Sequence, residues 1–156
     1  MADPDREPPA GAFSAEPWDA NGTASLIASG NDRPAVIEAG LRAVLSLLTP
    51  PRPAAPGASR AVPVRGSGAD LPALFADIAA DLLAQIEALG ARPTDVIVDG
   101  LVQGEAGHSV AWGYAFGPLD LSIGQTVPVQ IEAVEVSAAQ QPPGSPIEVR
   151  ARLRRG

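Results

Sequence analysis

Apolar positions recur at helical spacing in two segments of the chain. The first begins after a cap at Asn31 or Asp32, with Pro34 in the first turn, where its missing N–H costs nothing. The second begins after a cap at Asp70 and ends before Gly90. Its apolar stripe consists of Leu74, Phe75, Ile78, Leu82, Ile86 and Leu89. Both segments are therefore predicted to be amphipathic helices.

Shorter runs of alternating or continuous apolar residues predict strands at 23–28, 61–65, 96–102, 110–116, 127–136 and 147–153. Pro63 cannot donate to a ladder, so its strand should lie at an edge. The apolar positions change phase near Ala133 and Val134, which predicts a β-bulge there. The order strand, helix, strand, helix and four strands favours an α+β fold. We expect a two-layer sandwich, with two helices on one face of a mixed, mostly antiparallel sheet of about six strands.

Composition shifts mark two segments that do not belong to this pattern. Residues 1–17 are acidic, rich in Pro and Ala, and nearly free of large apolar side chains. We expect them to form a disordered leader. A Pro-rich linker is predicted at 50–60, inside a single domain that spans 18–156.

The net charge of the chain limits the partners that it can attract. Eighteen acidic residues outweigh 11 basic residues, all of them Arg, and give a net charge of −7. This field does not attract nucleic acid, so direct RNA or DNA binding is not expected. The absence of Cys excludes disulfides and thiolate chemistry. Without a signal peptide or a long apolar run, we expect a cytoplasmic protein with no membrane partner.

Two small groups of residues could carry catalysis. His108 is the single histidine and lies in a predicted hairpin, where it could pair with Glu105 beside Ser109. Asp95 and Asp99 flank a strand core, and a period of two places them on the same side. Both groups are also explained as solvated polar residues at strand ends and turns, and neither forms a complete catalytic set.

Arg150, Arg152 and Arg154 alternate with apolar residues in the last predicted strand and therefore share one face. They could bind a phosphate or an acidic partner. They could also form a solvated face that pairs across the hairpin with Glu132 and Gln130. Both interpretations stay open.

Trp112, Tyr114 and Phe116 also alternate, so they share one face of a strand. Core packing beneath the helices is the interpretation that we favour for these rings. If they are exposed instead, they mark a binding surface.

Several stretches resemble the archease family across roughly 19–155. The second helix, at 73–83, is similar to the family's Leu-Leu-Val-Asp-Trp-Leu-Asn-Glu-Leu-Leu helix, with Asp77 and Asp81 at the two acidic positions. The first helix ends like the family's alanine-rich helix, and 129–134 resembles its Ile-Lys-Ala-Val strand. The resemblance implies the fold proposed above. It also implies a non-enzymatic helper that binds a divalent cation and promotes guanylylation of the RNA ligase of tRNA splicing.

The metal motif of that family is not preserved in this sequence. Its Asp-His-Thr-Ala-Asp motif aligns with the stretch from Asp19 to Ser25, which keeps Thr23 and Ala24 but lacks the His and the second Asp. Its last strand carries an Asp where this chain has Arg. A hard cation needs several oxygen ligands, so we expect no metal at this position. Calcium or magnesium would bind only at a rebuilt site, with Asp19, Ser25, Asp77 and Asp81 as candidates.

The sequence therefore predicts a non-catalytic accessory protein on an archease-like scaffold. It would modulate a partner enzyme or complex, which could be an RNA ligase in RNA processing. One alternative is an archease that activates a tRNA-splicing RNA ligase through a rebuilt metal site. Another is a small enzyme with a minimal site near His108.

Overall fold

Seven strands and two helices make up the part of the chain that the computed structural model describes, which comprises residues 11–48, 61–89, 93, 95–104, 107–116, 129–136 and 147–155. In chain order the elements are β1 (Gly11–Glu16), β2 (Thr23–Gly30), α1 (Arg33–Leu48), β3 (Val62–Gly68), α2 (Leu71–Leu89), β4 (Asp95–Gln103), β5 (Ser109–Phe116), β6 (Val129–Val136) and β7 (Ile147–Arg155). From β2 onward this is the predicted order. The predicted linker at 50–60 lies outside the described residues.

The described strands form two antiparallel sheets. The first has the order β1-β2-β7-β6, and the second has the order β3-β5-β4. This confirms the predicted α+β class with two helices and antiparallel pairing. The single sheet that we expected is divided in two. At the edges of the three-stranded sheet, carboxylates from the helices accept hydrogen bonds from backbone N–H groups of β3 and β4, so these groups are satisfied without a further strand.

The predicted disordered leader needs correction, because its residues 11–16 form β1. This strand pairs with β2 from Gly11 opposite Gly30 to Glu16 opposite Ser25, and Ala15 packs against the core. The prediction considered only how much apolar surface the segment could bury. Backbone pairing to β2 stabilises the strand without a large buried side chain. Residues 1–10 of the predicted leader lie outside the described residues.

The two helices differ in how they are packed. Buried residues occur on most sides of α1, namely Val36, Ile37, Ala39, Leu41, Ala43, Val44, Leu45 and Leu47. This helix packs on β1 and β2 and also contacts β4, so it links the two sheets. The second helix, α2, buries one face against β3 and β5 and reaches β6, and this face contains the predicted stripe from Leu74 to Ile86 together with Leu71 and Ala79. A helix buried on most sides is typical of a central position in a fold.

The helix caps, the edge strand and the bulge in β6 follow the sequence predictions. Asp32 and Asp70 accept hydrogen bonds from the N–H groups of Ala35 and Ala73, at 2.8 and 2.9 Å, and so cap α1 and α2. Pro63 lies in β3, at the edge of its sheet. The pairing of β6 with β7 shifts between Ile131 and Ala133, which confirms a bulge next to the expected position. None of the helices in the described ranges is long and apolar enough to cross a membrane.

Candidate functional site

The aromatic side chains of β5 lie on the outer face of the three-stranded sheet. Trp112 is 36% exposed and Tyr114 is 42% exposed, while Phe116 is partly buried. The expectation that these rings pack beneath the helices is therefore wrong. Between the rings, the small residues Ala111, Gly113 and Ala115 are the ones that face inward.

Close packing around β3 and β5 explains this orientation. A Cβ atom on Gly66 of β3 would overlap the backbone of Ile78 in α2, so the helix lies almost directly on β3. In β5 a Cβ atom on Gly113 would overlap the backbone of Ile97 in β4, and the inner face of β5 carries Ala and Gly. A strand with small residues on one face and aromatic residues on the other must then place the rings outward. The alternating pattern alone does not reveal which face is inner.

Neighbouring strands extend the aromatic surface on both sides. Pro63 of β3 and Ile97 of β4 lie opposite Tyr114, and Arg65 of β3 lies opposite Trp112. A Cβ on Gly100 would overlap the Trp112 indole, so the ring covers this glycine. We call the surface formed by Pro63, Arg65, Ile97, Gly100, Val102, Val110, Trp112 and Tyr114 the aromatic face. Ile97 and Val102 are exposed by 36% and 56%, so apolar surface continues well beyond the two rings.

Both outer edges of this sheet are hydrogen-bonded to helices. The carboxylate of Asp81 accepts a hydrogen bond of 2.9 Å from Arg65 N, and that of Asp77 accepts one of 2.8 Å from Ser67 N. These two carboxylates are one helical turn apart in α2, which matches the two-residue repeat of the N–H groups along an edge. Two of the candidate metal ligands thus stabilise an edge strand, a role that sequence reasoning missed.

On the opposite edge, α1 contacts β4 through charged side chains. Glu38 accepts a hydrogen bond of 3.0 Å from Val98 N, and Arg42 donates one of 2.8 Å from Nε to Asp95. Arg42 also approaches Glu38 at 3.6 Å, so the three side chains form a connected network. The side chain of Glu38 is only 17% exposed, which strengthens its hydrogen bond.

The proposed carboxylate pair of Asp95 and Asp99 rests on unbroken alternation along β4. The structure contains a bulge between Val98 and Gly100, and Asp99 is the residue without a partner in the register. Asp95 is instead bound to Arg42. Asp95 therefore has a structural role, since its ion pair with Arg42 joins β4 to α1.

His108 is exposed in the turn between β4 and β5, where its carbonyl accepts a hydrogen bond of 2.6 Å from Gly104 N. Ser109 is buried, and its hydroxyl lies 3.4 Å from the carbonyl oxygen of Gly107. The hydroxyl is thus directed to a backbone carbonyl. Glu105 lies outside the described residues, so the predicted Glu105–His108 pair is not described.

Asp19 organises the turn between β1 and β2. Its Oδ1 accepts hydrogen bonds of 2.8 Å from Asn21 N and 3.0 Å from Thr23 N. The bonds from Thr23 and Asn21 stabilise the charged form and lower the pKa of Asp19 below its ordinary value of 3.8. This third candidate ligand is thus used to hold a turn.

The candidate metal ligands are not assembled in one place. Within the described ranges, no three acidic or histidine side chains lie close enough together to hold a metal ion. Ser25 lies on the outer face of the four-stranded sheet, directly opposite Arg152 in the pairing of β2 with β7. A hydroxyl and a guanidinium thus face each other where the archease resemblance placed carboxylate ligands.

The three arginines of β7 line up on that outer face. Arg150, Arg152 and Arg154 lie opposite Ile27, Ser25 and Thr23 of β2. Their predicted pairing with Glu132 and Gln130 involves side chains that the structure does not describe. Arg150 is paired with Glu148 on its own strand, with 3.0 Å between Nε and Oε1.

Two of these arginines border an open concavity of about 560 Å³ above β2. Its outward side chains are Ser14 and Glu16 of β1, Ser25 and Ile27 of β2, and Arg150 and Arg152 of β7. We call it the sheet concavity. The small side chain of Ser25 forms its floor. Glu16 on the β1 side and Arg152 on the β7 side carry opposite charges.

Comparison with known proteins supports the fold and leaves the function open. No protein-family model and no curated protein matches the chain. The solution structure of Methanobacterium thermoautotrophicum protein 1598 is similar, with a TM-score of 0.57 and 16% identity, over 94% of this chain and 99% of that one. An identity this low shows the fold alone. The chain thus has an archease-like fold, and its membership of that family is not shown.

Proposed function

We propose that this chain is a non-catalytic binding protein that docks a protein partner on its aromatic face. The observation that carries the proposal is the outward position of Trp112 and Tyr114 on the central strand of the three-stranded sheet. Exposed aromatic rings next to aliphatic side chains are typical of interface centres. Two of the polar residues considered for catalysis are engaged in structural contacts, Asp95 with Arg42 and Ser109 with the carbonyl of Gly107.

The partner is expected to pack on the face of the sheet rather than add a strand to its edge. Strand addition needs unpaired backbone groups at an edge. Here the N–H groups of Arg65 and Ser67 bind Asp81 and Asp77, and Val98 N binds Glu38. Affinity must therefore come from side chains that fit against the two rings.

Charged residues on either side of Trp112 restrict the chemistry of the partner. Arg65 is exposed on the β3 side, and Asp99 is exposed on the β4 side. A complementary partner presents apolar side chains to Trp112 and Tyr114 and an acidic residue to Arg65. An RNA ligase is the partner to test first, and the archease-like fold is the support for that choice.

Affinity capture from an extract of the native cell tests the proposal. The baits are the wild-type chain, the double variant Trp112→Ser/Tyr114→Ser, and the control Phe13→Ser. Phe13 is 43% exposed on β1, in the other sheet, so it matches the rings in exposure but not in position. We expect one protein that the wild type and Phe13→Ser retain and that the double variant loses.

The captured protein is then purified and its affinity is measured with the variant Arg65→Gln. We expect a loss of about threefold, the size of one exposed ion pair, and a smaller loss at high salt. Equal capture by all three baits would overturn the proposal. So would self-association of the wild type that the double variant abolishes, because the occupant of the face would then be a second copy of the chain.

A further inference from the structure

The sheet concavity has charges of opposite sign on its two walls. Glu16 of β1 lies opposite Ser25 of β2, and Ser25 lies opposite Arg152 of β7. These three residues form one row across three strands. The backbones of the outer two strands are separated by about 9.5 Å, twice the spacing of neighbouring strands. The small side chain of Ser25 leaves the space between them open.

From this arrangement we infer that the sheet concavity binds a small zwitterion, with its anionic group on Arg150 and Arg152 and its ammonium group toward Glu16. The anionic group is a phosphate or a carboxylate, the groups that guanidinium recognises best. This site lies on the other sheet from the aromatic face and does not depend on partner docking.

The arginine wall is held in place by a neighbouring residue. Glu148 accepts a hydrogen bond of 3.0 Å from Arg150 Nε, which orients the guanidinium on the strand surface. Arg152 follows two residues later on the same face, about 6.6 Å further along the strand. Two guanidinium groups at this spacing can bind one anionic group together.

The remaining walls suit a small organic molecule. Ile27 is 37% exposed, so it offers apolar contact to a short carbon chain between the charged ends. Ser14 and Ser25 add hydroxyl groups. A volume of about 560 Å³ falls within the usual range of small-ligand sites, roughly 300–1,000 Å³. A long polyanion is disfavoured, because Glu16 lies in the concavity and the chain carries a net charge of −7.

Titration with three probes, followed by amide chemical shifts in NMR spectra, tests this inference. The probes are O-phosphoethanolamine, ethyl phosphate, which lacks the ammonium group, and ethanolamine, which lacks the phosphate. We expect shifts at residues 14–16, 25–27 and 150–152. O-phosphoethanolamine should bind about fivefold more tightly than ethyl phosphate, the upper range of one exposed charge pair. Ethanolamine should bind most weakly, because a single carboxylate holds it.

Three variants separate the two walls. Arg150→Gln/Arg152→Gln should weaken both phosphate probes by about tenfold. Glu16→Gln should remove the preference for O-phosphoethanolamine and leave the affinity for ethyl phosphate unchanged or higher. Arg154→Gln is the matched control, since Arg154 belongs to the same strand face but does not line the concavity.

Equal affinity of O-phosphoethanolamine and ethyl phosphate for the wild type overturns the inference, and so does a shift map centred elsewhere. Absence of shifts up to about 20 mM probe also overturns it. The variant Trp112→Ser/Tyr114→Ser should bind O-phosphoethanolamine like the wild type. Failure of this site therefore leaves the aromatic face untouched, and failure of partner docking leaves this site untouched.

Discussion

The backbone N–H of Ser67, on the outer edge of β3, donates a hydrogen bond of 2.8 Å to the carboxylate of Asp77 in α2. Asp81 makes the same contact with Arg65 N at 2.9 Å. An unpaired strand edge can associate with other chains. The two carboxylates satisfy this edge without a further strand, and they help to explain why the three-stranded sheet ends at β3.

We predict that Asp77→Ala exposes the Ser67 amide to solvent exchange. The protection of this amide should fall by about tenfold or more, while the amides of β7 keep theirs. The free energy of unfolding should fall by about 1 kcal/mol, because the lost hydrogen bond is solvent-exposed and Ala favours the helix. Asp77→Asn keeps one acceptor oxygen, so its free energy of unfolding should fall by less than that of Asp77→Ala. Unchanged exchange at Ser67 in the alanine variant would contradict this role.

The hydrogen bond from Val98 N to Glu38 should contribute more to stability than the bond from Ser67 N to Asp77, because the side chain of Glu38 is only 17% exposed. Glu38→Ala is expected to lower the free energy of unfolding by about 1–3 kcal/mol in denaturant titrations. Glu87→Ala, on the exposed face of α2, is the control and should change it by less than about 0.5 kcal/mol. If the two variants cost the same, α1 does not hold the edge of β4.

The crossing of the two helices depends on Gly40. A Cβ at this position would overlap the ring of Phe75, which is fully buried. Helix propensity alone predicts that Gly40→Ala stabilises α1 by about 1 kcal/mol. The overlap should reverse this sign and give a net loss of about 1–3 kcal/mol. In a Phe75→Leu background the same change should cost much less. Equal costs in the two backgrounds would show that the ring does not limit this position.

The turn at Asp19 gives the chain a contribution to stability that depends on pH. Its pKa is lowered in the folded state by hydrogen bonds from Thr23 N and Asn21 N. A lowered folded-state pKa means that the contribution is full above the ordinary value of 3.8. It is lost as the pH falls through the lowered value. We therefore expect the wild type to be more stable than Asp19→Asn at pH 7. This difference in stability should shrink as the pH falls below the ordinary pKa of 3.8. A difference independent of pH would contradict the assignment.

Much of the fold could be predicted because its signals are local. The caps at Asp32 and Asp70, the stripe of α2 from Leu74 to Ile86 and the bulge in β6 all depend on neighbouring residues, and the structure confirms them. The division into two sheets could not be read from the sequence. Some of the strand-edge N–H groups are satisfied by carboxylates that are distant along the chain, such as Glu38, which lies 60 residues before Val98.

The sequence predicted which residues share the candidate surface, but it did not predict that this surface is exposed. Alternation placed Trp112 and Tyr114 on one face but did not show which face was outward. The small residues beside them contained the missing signal, because close packing on the inner face leaves no room for a larger side chain, as at Gly113 against the backbone of Ile97. Among the candidate polar residues, Asp77 and Asp81 lie four residues apart, about one helical turn. That spacing does not distinguish metal ligands from acceptors for backbone N–H groups.

The most direct test of the central proposal, partner docking on the aromatic face, is the affinity of the purified partner for three forms of the chain, measured by calorimetry. We predict that Trp112→Ser/Tyr114→Ser binds at least about 30-fold more weakly than the wild type, as expected when aromatic anchors of an interface are lost. Phe13→Ser should bind like the wild type. An affinity of the double variant within about twofold of the wild type, with its fold intact, would contradict the proposal.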